Sequence, residues 1–306
     1  EMCIRDRLNR QYYTKYTTKV WQDGELIYTH TLNLEGKRVF ISIDSKALGD
    51  TLAWIPYCLE FKKKHNCEVV VSTFWNHILD YPELELVEPG HVTGCYALYN
   101  LGWHWDANKE PVLCNTIPLQ QSASNILGLE YKELKAKVKF EEKPNEYGTY
   151  VVIATNSTAG LKFWLKSHWQ EIIDFLVEKG YKVINISKER NPFNNCYQLE
   201  DVSIENTMSV IHHSKFFIGL SSGLSWLATM MNKEVVMIAG FPEPDHEFSC
   251  HRPYNHKVCH ACWNKAENRF DAGDYLWCPN HKNTLRMFEC QTSITPEMVI
   301  EKLPVL

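Results

Sequence analysis

The sequence predicts an α/β fold of two Rossmann-like domains facing a cleft, with a C-terminal Cys-rich metal-binding tail. Three observations carry that expectation. Strand-sized apolar runs alternate with helical stretches along most of the chain. The pattern restarts after a charged stretch containing Pro and Gly at 141–148 (EEKPNEYG), which reads as a linker. Near the end, four cysteines form C-x2-C-x15-C-x11-C. A chain of 306 residues suits two ordinary cores better than one.

Taken in order, residues 16–34 alternate apolar and polar around Asp23-Gly24, a dipeptide suited to the positive backbone angles of a tight turn, and read as a β-hairpin leading inward. The sequence opens at Glu1 without an initiator Met, the pattern of a fragment or processed product, so 1–35 reads as the β-hairpin remnant of an N-terminal element. Residues 38–44 enclose the apolar run VFISI, a strand. The turn Leu48-Gly49-Asp50 follows, then a helix over about 51–65 whose Leu52, Ile55, Leu59 and Phe61 give a partly apolar face. Another strand at 68–74 and continued alternation to about Leu129 make 36–143 an N-terminal Rossmann-like domain. Beyond the linker, strands at 150–155, 182–187, 216–220 and 235–240 and helices at 167–179 and 223–232 make 144–245 a second Rossmann-like domain. Residues 246–306 form the Cys-rich loop and a C-terminal helix.

Composition narrows the function. With 44% hydrophobic and 23% charged residues the whole chain should fold, and a net charge of -5 gives no general attraction to nucleic-acid phosphates, so no nucleic-acid partner is expected. The longest apolar runs are far short of the roughly 20 residues that span a bilayer, so no membrane span is expected. Without a secretion pattern, the cytoplasm is the expected location.

Three polar loops follow strand ends, where open α/β sheets bind ligands. In the first, Gly49 permits close backbone approach, and Asp50 reads either as a helix cap or as a general base in the cleft. In the second, Thr155-Asn156-Ser157-Thr158-Ala159-Gly160-Leu161-Lys162, small hydroxyl residues and backbone N–H groups surround Lys162, which reads as a phosphate partner or as a solvated loop lysine. The third, Ser221-Ser222-Gly223-Leu224, opens a helix whose free N–H groups suit a nucleotide phosphate, although serine is also an ordinary cap. Together they provide donor binding on one side and an acceptor with its base on the other, as a nucleotide-sugar transferase requires.

Eleven cysteines is a high number, and five fall between Cys250 and Cys290. Cys259, Cys262, Cys278 and Cys290 have the spacing of a four-thiolate structural site that suits zinc or a single iron, with no open coordination position for substrate. Cys250 and the neighbouring His246, His251, His256, His260 and His281 are alternative ligands, and unligated core cysteines are the bland alternative. Cys3, Cys58, Cys67, Cys95, Cys114 and Cys196 are scattered and read as core residues. Trp103, Trp105 and Trp164 read as core packing or cleft lining.

The run from Leu48 through Asp50 to Pro56, the Lys162 loop and Ser221-Ser222-Gly223-Leu224 resemble the signature regions of the lipopolysaccharide heptosyltransferases of glycosyltransferase family 9. Where those carry an Asp-Thr-Gly-Leu-type run and then histidine, this chain has Ser221-Ser222-Gly223-Leu224 and Trp226. GDTLAWIPY, TIPLQQSAS, STAGLKFW and GLSSGLSWLA, with the cysteine tail, are more similar to the bacterial autotransporter heptosyltransferases. That resemblance implies a GT-B fold and an inverting transfer of heptose from ADP-D-glycero-β-D-manno-heptose to serines of an autotransporter passenger protein. It implies Asp50 as general base, with Leu48, Gly49 and Thr51 on the acceptor side. Lys162 would take the donor phosphates, with Thr155, Ser157, Thr158, Ser221, Ser222, Gly223 and Leu224 around the donor. It further implies one iron per chain on Cys259, Cys262, Cys278 and Cys290, zinc being the alternative, no divalent metal for catalysis, and a homo-oligomer. A lipopolysaccharide-core acceptor and a non-catalytic, metal-stapled binding module are the competing readings.

Overall fold

The computed structural model describes residues 9–90, 92–190 and 192–304. Cys3 lies outside them. The described chain forms two compact units. One comprises residues up to Lys46 together with Trp54–Asn76 and Tyr81–Leu134; the other comprises Ala47–Ala53, His77–Asp80 and the chain from Lys135.

In the first unit, β1 (Thr17–Gln22) and β2 (Glu25–Thr31) pair antiparallel across a turn in which Asp23 and Gly24 both take positive φ, as the dipeptide predicts. The hairpin does not lead inward. Every residue of both strands is exposed, including Trp21 and Ile27, because a two-stranded ribbon has no second layer of its own to cover its apolar side chains.

After the hairpin come β3 (Arg38–Ile43), α1 (Leu48–His65), β4 (Glu68–Ser72), β5 (Glu85–Val87), β6 (Ala97–Leu101) and α2 (Leu119–Ile126). The strands form a parallel sheet ordered β5-β4-β3-β6. Val39, Ile41, Ile43, Val69 and Val71 are buried, the near-continuous apolar pattern of strands covered on both faces. Trp54 and Tyr57 of α1 are buried and reach across the unit: the Trp54 indole N–H donates to the Leu119 carbonyl at 2.9 Å and the Tyr57 hydroxyl to the Lys132 carbonyl at 2.6 Å.

The second unit contains β7 (Tyr150–Ala154), α3 (Lys166–Glu178), β8 (Lys182–Asn185), β9 (Cys196–Gln198), α4 (Ile204–His213), β10 (Phe217–Leu220), α5 (Gly223–Met230) and β11 (Val235–Ile238), then α6 (Glu289–Thr292) and α7 (Pro296–Ile300). Its parallel sheet runs β11-β10-β7-β8-β9, so from β7 the chain winds out through β8 to β9 and then returns to add β10 and β11 on the other side. That reversal is the doubly wound order, and it sets β7 beside β10 at the topological switch point. Ile172, Ile173 and Leu176 of α3 and Val299 of α7 are buried in the core with Val151, Ile153, Ile218 and Val236 of the sheet. Trp164 belongs to the same core, and its indole N–H donates to the Ile294 carbonyl at 2.7 Å.

Two boundaries differ from the sequence reading. The units divide after Leu134 because 135–143 already lies on the second: the Lys135 ammonium bonds the Asn232 side chain and the Lys143 N–H donates to the Ser209 hydroxyl. Helix α1 starts at Leu48, which puts Asp50 within its first turn rather than at the cap.

Candidate functional site

At the switch point of the second sheet, the loops leaving the carboxyl ends of β7 and β10 are the two that carry Lys162 and Ser221. The β7 loop is fixed at its root. The Thr155 N–H donates to the Ser187 hydroxyl at 2.7 Å, and the Thr155 hydroxyl donates to the Asn156 side-chain oxygen at 2.8 Å. Ser157 is half-buried and Thr158 exposed. A single 3-10 turn over Gly160–Lys162 then brings the lysine inward. Gly160 is required there, since a Cβ would lie 2.8 Å from both the ring and the carbonyl oxygen of Tyr275.

The Lys162 ammonium lies 5.2 Å from the centre of the Phe241 ring, on whose face a cation is favoured. Burial lowers the affinity of Lys162 for its proton, and the carboxylates of Glu247 and Asp50 restore only part of it, so its pKa stays below the ordinary lysine value. A half-desolvated cation is a ready partner for a phosphate, because little water has to be displaced from it.

Ser222 caps α5 in an extended conformation, but its side chain makes no capping bond, and its buried hydroxyl oxygen has no hydrogen-bond partner. Gly223 opens the helix. The N-terminal end of α5 therefore keeps donors available for an anion.

Residues 47–53, the start of α1, cluster with this second unit. A Cβ on Gly49 would lie 3.1 Å from the Trp226 ring, and one on Gly223 would lie 3.0 Å from Leu48 Cβ and 3.1 Å from the Gly49 nitrogen. Both glycines are close-approach residues here, as the sequence suggests for Gly49. The arrangement brings Leu48, Gly49 and Asp50 to Gly223, Trp226 and Lys162. Asp50 and Thr51 are buried, and Leu224 is half-buried.

Sequence reasoning missed Glu247, Arg252 and Phe241. Glu247 is buried; its carboxylate accepts from Arg252 Nη1 at 2.6 Å and from the Ser221 hydroxyl. Burial alone would push its pKa up, but Arg252, Ser221 and His246 outweigh burial and hold it below the ordinary carboxylate value. No local signal marks a lone Glu between His246 and Phe248; only the fold discloses it.

The cysteine segment is fastened to the end of β11. The Ala261 N–H donates to the Gly240 carbonyl at 3.0 Å, and the Gln291 side chain bonds both the Gly240 N–H and the Ile238 carbonyl. A Cβ on Gly240 would overlap the Cys290 carbonyl oxygen, 2.0 Å away. Cys262 and Cys290 pack with Leu161, Phe241 and Trp277, so the segment underlies the turn that presents Lys162.

Cys259 and Cys262 have their sulfurs 3.9 Å apart; Cys278 is close enough to act on the thiols of Cys262 and Cys290, and Cys262 on that of Cys290. Four thiolates around one ion at about 2.3 Å would place their sulfurs about 3.8 Å apart, so this spacing fits a metal. Burial and the neighbouring sulfurs push the Cys262 and Cys290 thiols up to about 12, a repulsion that a cation would reverse. Cys259, His281 and Glu289 form another possible ligand group. There the Glu289 carboxylate already accepts from the Cys259 N–H and from Arg286, which makes it a support for the cysteine loop. Of the scattered cysteines, Cys58, Cys67 and Cys114 are buried and Cys95 and Cys196 half-buried, all as free thiols.

The profile of glycosyltransferase family 9 (heptosyltransferase) matches residues 96–274. The autotransporter heptosyltransferase BAHTCr of Citrobacter rodentium is 34% identical over 95% of this chain and 76% of its own length. The autotransporter heptosyltransferase TibC of Escherichia coli O78:H11 is 33% identical over 95% of this chain and 77% of its own. The crystal structure of TibC, a dodecameric iron-containing heptosyltransferase in complex with ADP-D-beta-D-heptose, matches with a TM-score of 0.90 at 31% identity, over 96% of this chain and 83% of that one. BimC of Burkholderia thailandensis, an inactive autotransporter heptosyltransferase, is 28% identical over 95% of this chain and 74% of its own. The fold is thus of the GT-B class, with two Rossmann-like units. Among the described residues no helix is long and apolar enough to cross a membrane.

Proposed function

The chain belongs to the autotransporter heptosyltransferases of glycosyltransferase family 9, and from that premise we propose that it transfers heptose from ADP-D-glycero-β-D-manno-heptose to serine hydroxyls of an autotransporter passenger protein. The observation that carries this reading is that the Lys162 turn and the start of α5 leave the neighbouring carboxyl ends of β7 and β10, with Gly49 at the start of α1 packed close against Gly223 and Trp226.

The serine oxygen attacks the anomeric carbon from the face opposite the diphosphate. Its C–O bond forms as the bond to the β-phosphate oxygen breaks, which inverts the anomeric centre. ADP leaves with the electron pair, and Asp50 takes the serine proton as general base. Lys162, the Ser222 hydroxyl and the N-terminal end of α5 stabilise charge on the departing diphosphate, with Ser221, Gly223 and Leu224 shaping that end. Thr155 anchors the donor loop through Asn156 and Ser187, and Ser157 and Thr158 line its outer part. Leu48, Gly49 and Thr51 set the acceptor side. The protein supplies this charge stabilisation itself, so no divalent metal is needed for the transfer.

Cys259, Cys262, Cys278 and Cys290 would hold one iron per chain as a structural ion, consistent with the iron-containing TibC and with the sulfur spacing. The chain works in the cytoplasm as a homo-oligomer.

The test is incubation with ADP-heptose and a passenger fragment, read by intact-protein mass, with metal content measured on the same preparation. A heptose-sized gain that is lost in Asp50→Ala and cut by about a hundredfold or more in Lys162→Ala is the expected result. ADP-heptose binding without transfer to any passenger would overturn the reading and group the chain functionally with its inactive relative.

A further inference from the structure

In the second unit, three side chains of metal-ligand type converge where the C-terminal end of α4 meets the stretch that runs toward β7. His212 and His213 are the last turn of α4, and Glu142 lies on that stretch. Nε2 of His212 is 3.6 Å from Oε1 of Glu142, and Nε2 of His213 is 3.5 Å from the same oxygen. One ligand atom from each residue lies within 4.8 Å of the other two. Nitrogen and oxygen ligands at about 2.1 Å around a tetrahedral zinc stand about 3.4 Å apart, so both imidazole-to-carboxylate separations are close to those of a loaded site. The surroundings hold these groups without a metal. The His212 ring centre is 5.4 Å from that of Phe140 and 5.0 Å from that of His213. Lys143, next to Glu142, is tied to α4 by its N–H, which donates to the Ser209 hydroxyl at 2.9 Å, and by its ammonium, 3.2 Å from the Asn206 side-chain oxygen. Among the described residues no lysine or arginine pairs with Glu142, whereas Glu289, in the other group of this kind, is already taken by Arg286.

We propose that Glu142, His212 and His213 form a second metal site, built from residues other than the cysteines, that takes a zinc ion and clamps the stretch around Glu142 to the end of α4. Two imidazoles and a carboxylate suit zinc, whereas magnesium and calcium favour oxygen ligands throughout. The C-terminal end of a helix also favours a cation. In the metal-free chain the His213 Nε2 donates to the Lys143 carbonyl at 2.8 Å and so carries the ring proton. Zinc at Nε2 takes the place of that proton, which moves to Nδ1, so the ring stays neutral. The Lys143 carbonyl keeps the Ser209 hydroxyl, 3.4 Å away. Glu142 is exposed, which leaves the remaining coordination position to water. The site lies outside the donor loops, and its zinc takes no part in the transfer, so the clamp stands or falls independently of the transferase reading.

The test uses the full chain with zinc chloride as the probe. Diethyl pyrocarbonate labelling, mapped by mass spectrometry over a zinc series, reads each imidazole separately, so zinc taken up by the cysteines does not enter the result. His212 and His213 should lose their labelling together along one saturation curve, because the bound nitrogen has no free electron pair and the other carries the proton. The exposed His30 should stay reactive, and magnesium in place of zinc should protect neither histidine of the pair. Glu142→Gln should need at least about tenfold more zinc for the same protection, since even an outer partner of a metal ligand is worth that much. Glu142→His keeps three donors and should retain protection of the pair, which gives a second reading if the Gln variant does not fold. Labelling of both histidines undiminished at millimolar zinc would overturn the proposal and leave them as ordinary ion-pair partners of Glu142. Equal zinc midpoints in wild type and Glu142→Gln would overturn it as well, because the carboxylate would then be no ligand.

Discussion

Among the described residues each unit buries one glutamate, and the two have opposite fates. Glu110, in the first, is 2% exposed, and neither carboxylate oxygen has a hydrogen-bond partner in good geometry, although the Ser122 hydroxyl is close enough to offset part of the cost. Burial pushes its pKa up to about 7. Glu247, in the second, is 8% exposed but meets Arg252, Ser221 and His246, and its pKa is held below the ordinary value. Burial is nearly the same in both. A carboxyl inside a protein is a liability or a fixed charge according to what else is buried with it.

The largest expected effect comes from breaking the second arrangement. Glu247→Gln leaves the Arg252 guanidinium buried with no anion at Nη1 and should lower unfolding stability at neutral pH by about 3–5 kcal/mol, measured by urea titration. Adding Arg252→Met should recover most of that loss. Because the folded pKa of Glu247 is depressed, its stabilisation is present above the unfolded carboxylate value and lost as pH falls through the folded one. The gap between wild type and Glu247→Gln should therefore narrow in acid.

Glu110→Gln should act in the opposite direction and with the opposite pH dependence. The folded pKa of Glu110 is raised, so its favourable protonated state costs nothing below the unfolded value and stability is lost as pH rises through about 7. The variant should match wild type in acid and exceed it by about 3 kcal/mol in mild alkali, again by urea titration. An equal difference at all pH values would mean that packing, not ionisation, distinguishes the two. The smallest effect belongs to Ser221→Ala, which removes one hydroxyl bond to an ionised carboxylate and should cost about 2 kcal/mol at neutral pH.

Much of the scaffold was legible because its signals are local. Asp23-Gly24 fixes the hairpin turn, and VFISI and VVMIAG read as buried strands because parallel strands covered on both faces carry continuous apolar runs. The inward direction of the hairpin was misread, since alternation shows that one face is apolar without showing what covers it. Strand β9, which has three residues, and helix α4 escaped notice, although Ser203 at the N-cap of α4 is itself a local signal. The start of α1 was placed three residues late because Leu48 and Gly49 carry no helix signal of their own.

By itself the sequence determined the two-unit α/β plan, the three polar strand-end loops with Asp50, Lys162 and Ser221, and the four-cysteine spacing. Each rests on residues a few positions apart, where periodicity, turn chemistry and ligand spacing act. Only the tertiary structure decided that Lys162 is desolvated against Phe241, that Glu247 and Arg252 stand behind Ser221, and that Glu110 is buried beside Ser122. These are matters of dielectric and of partners distant in sequence, and the charge state of a side chain depends on both.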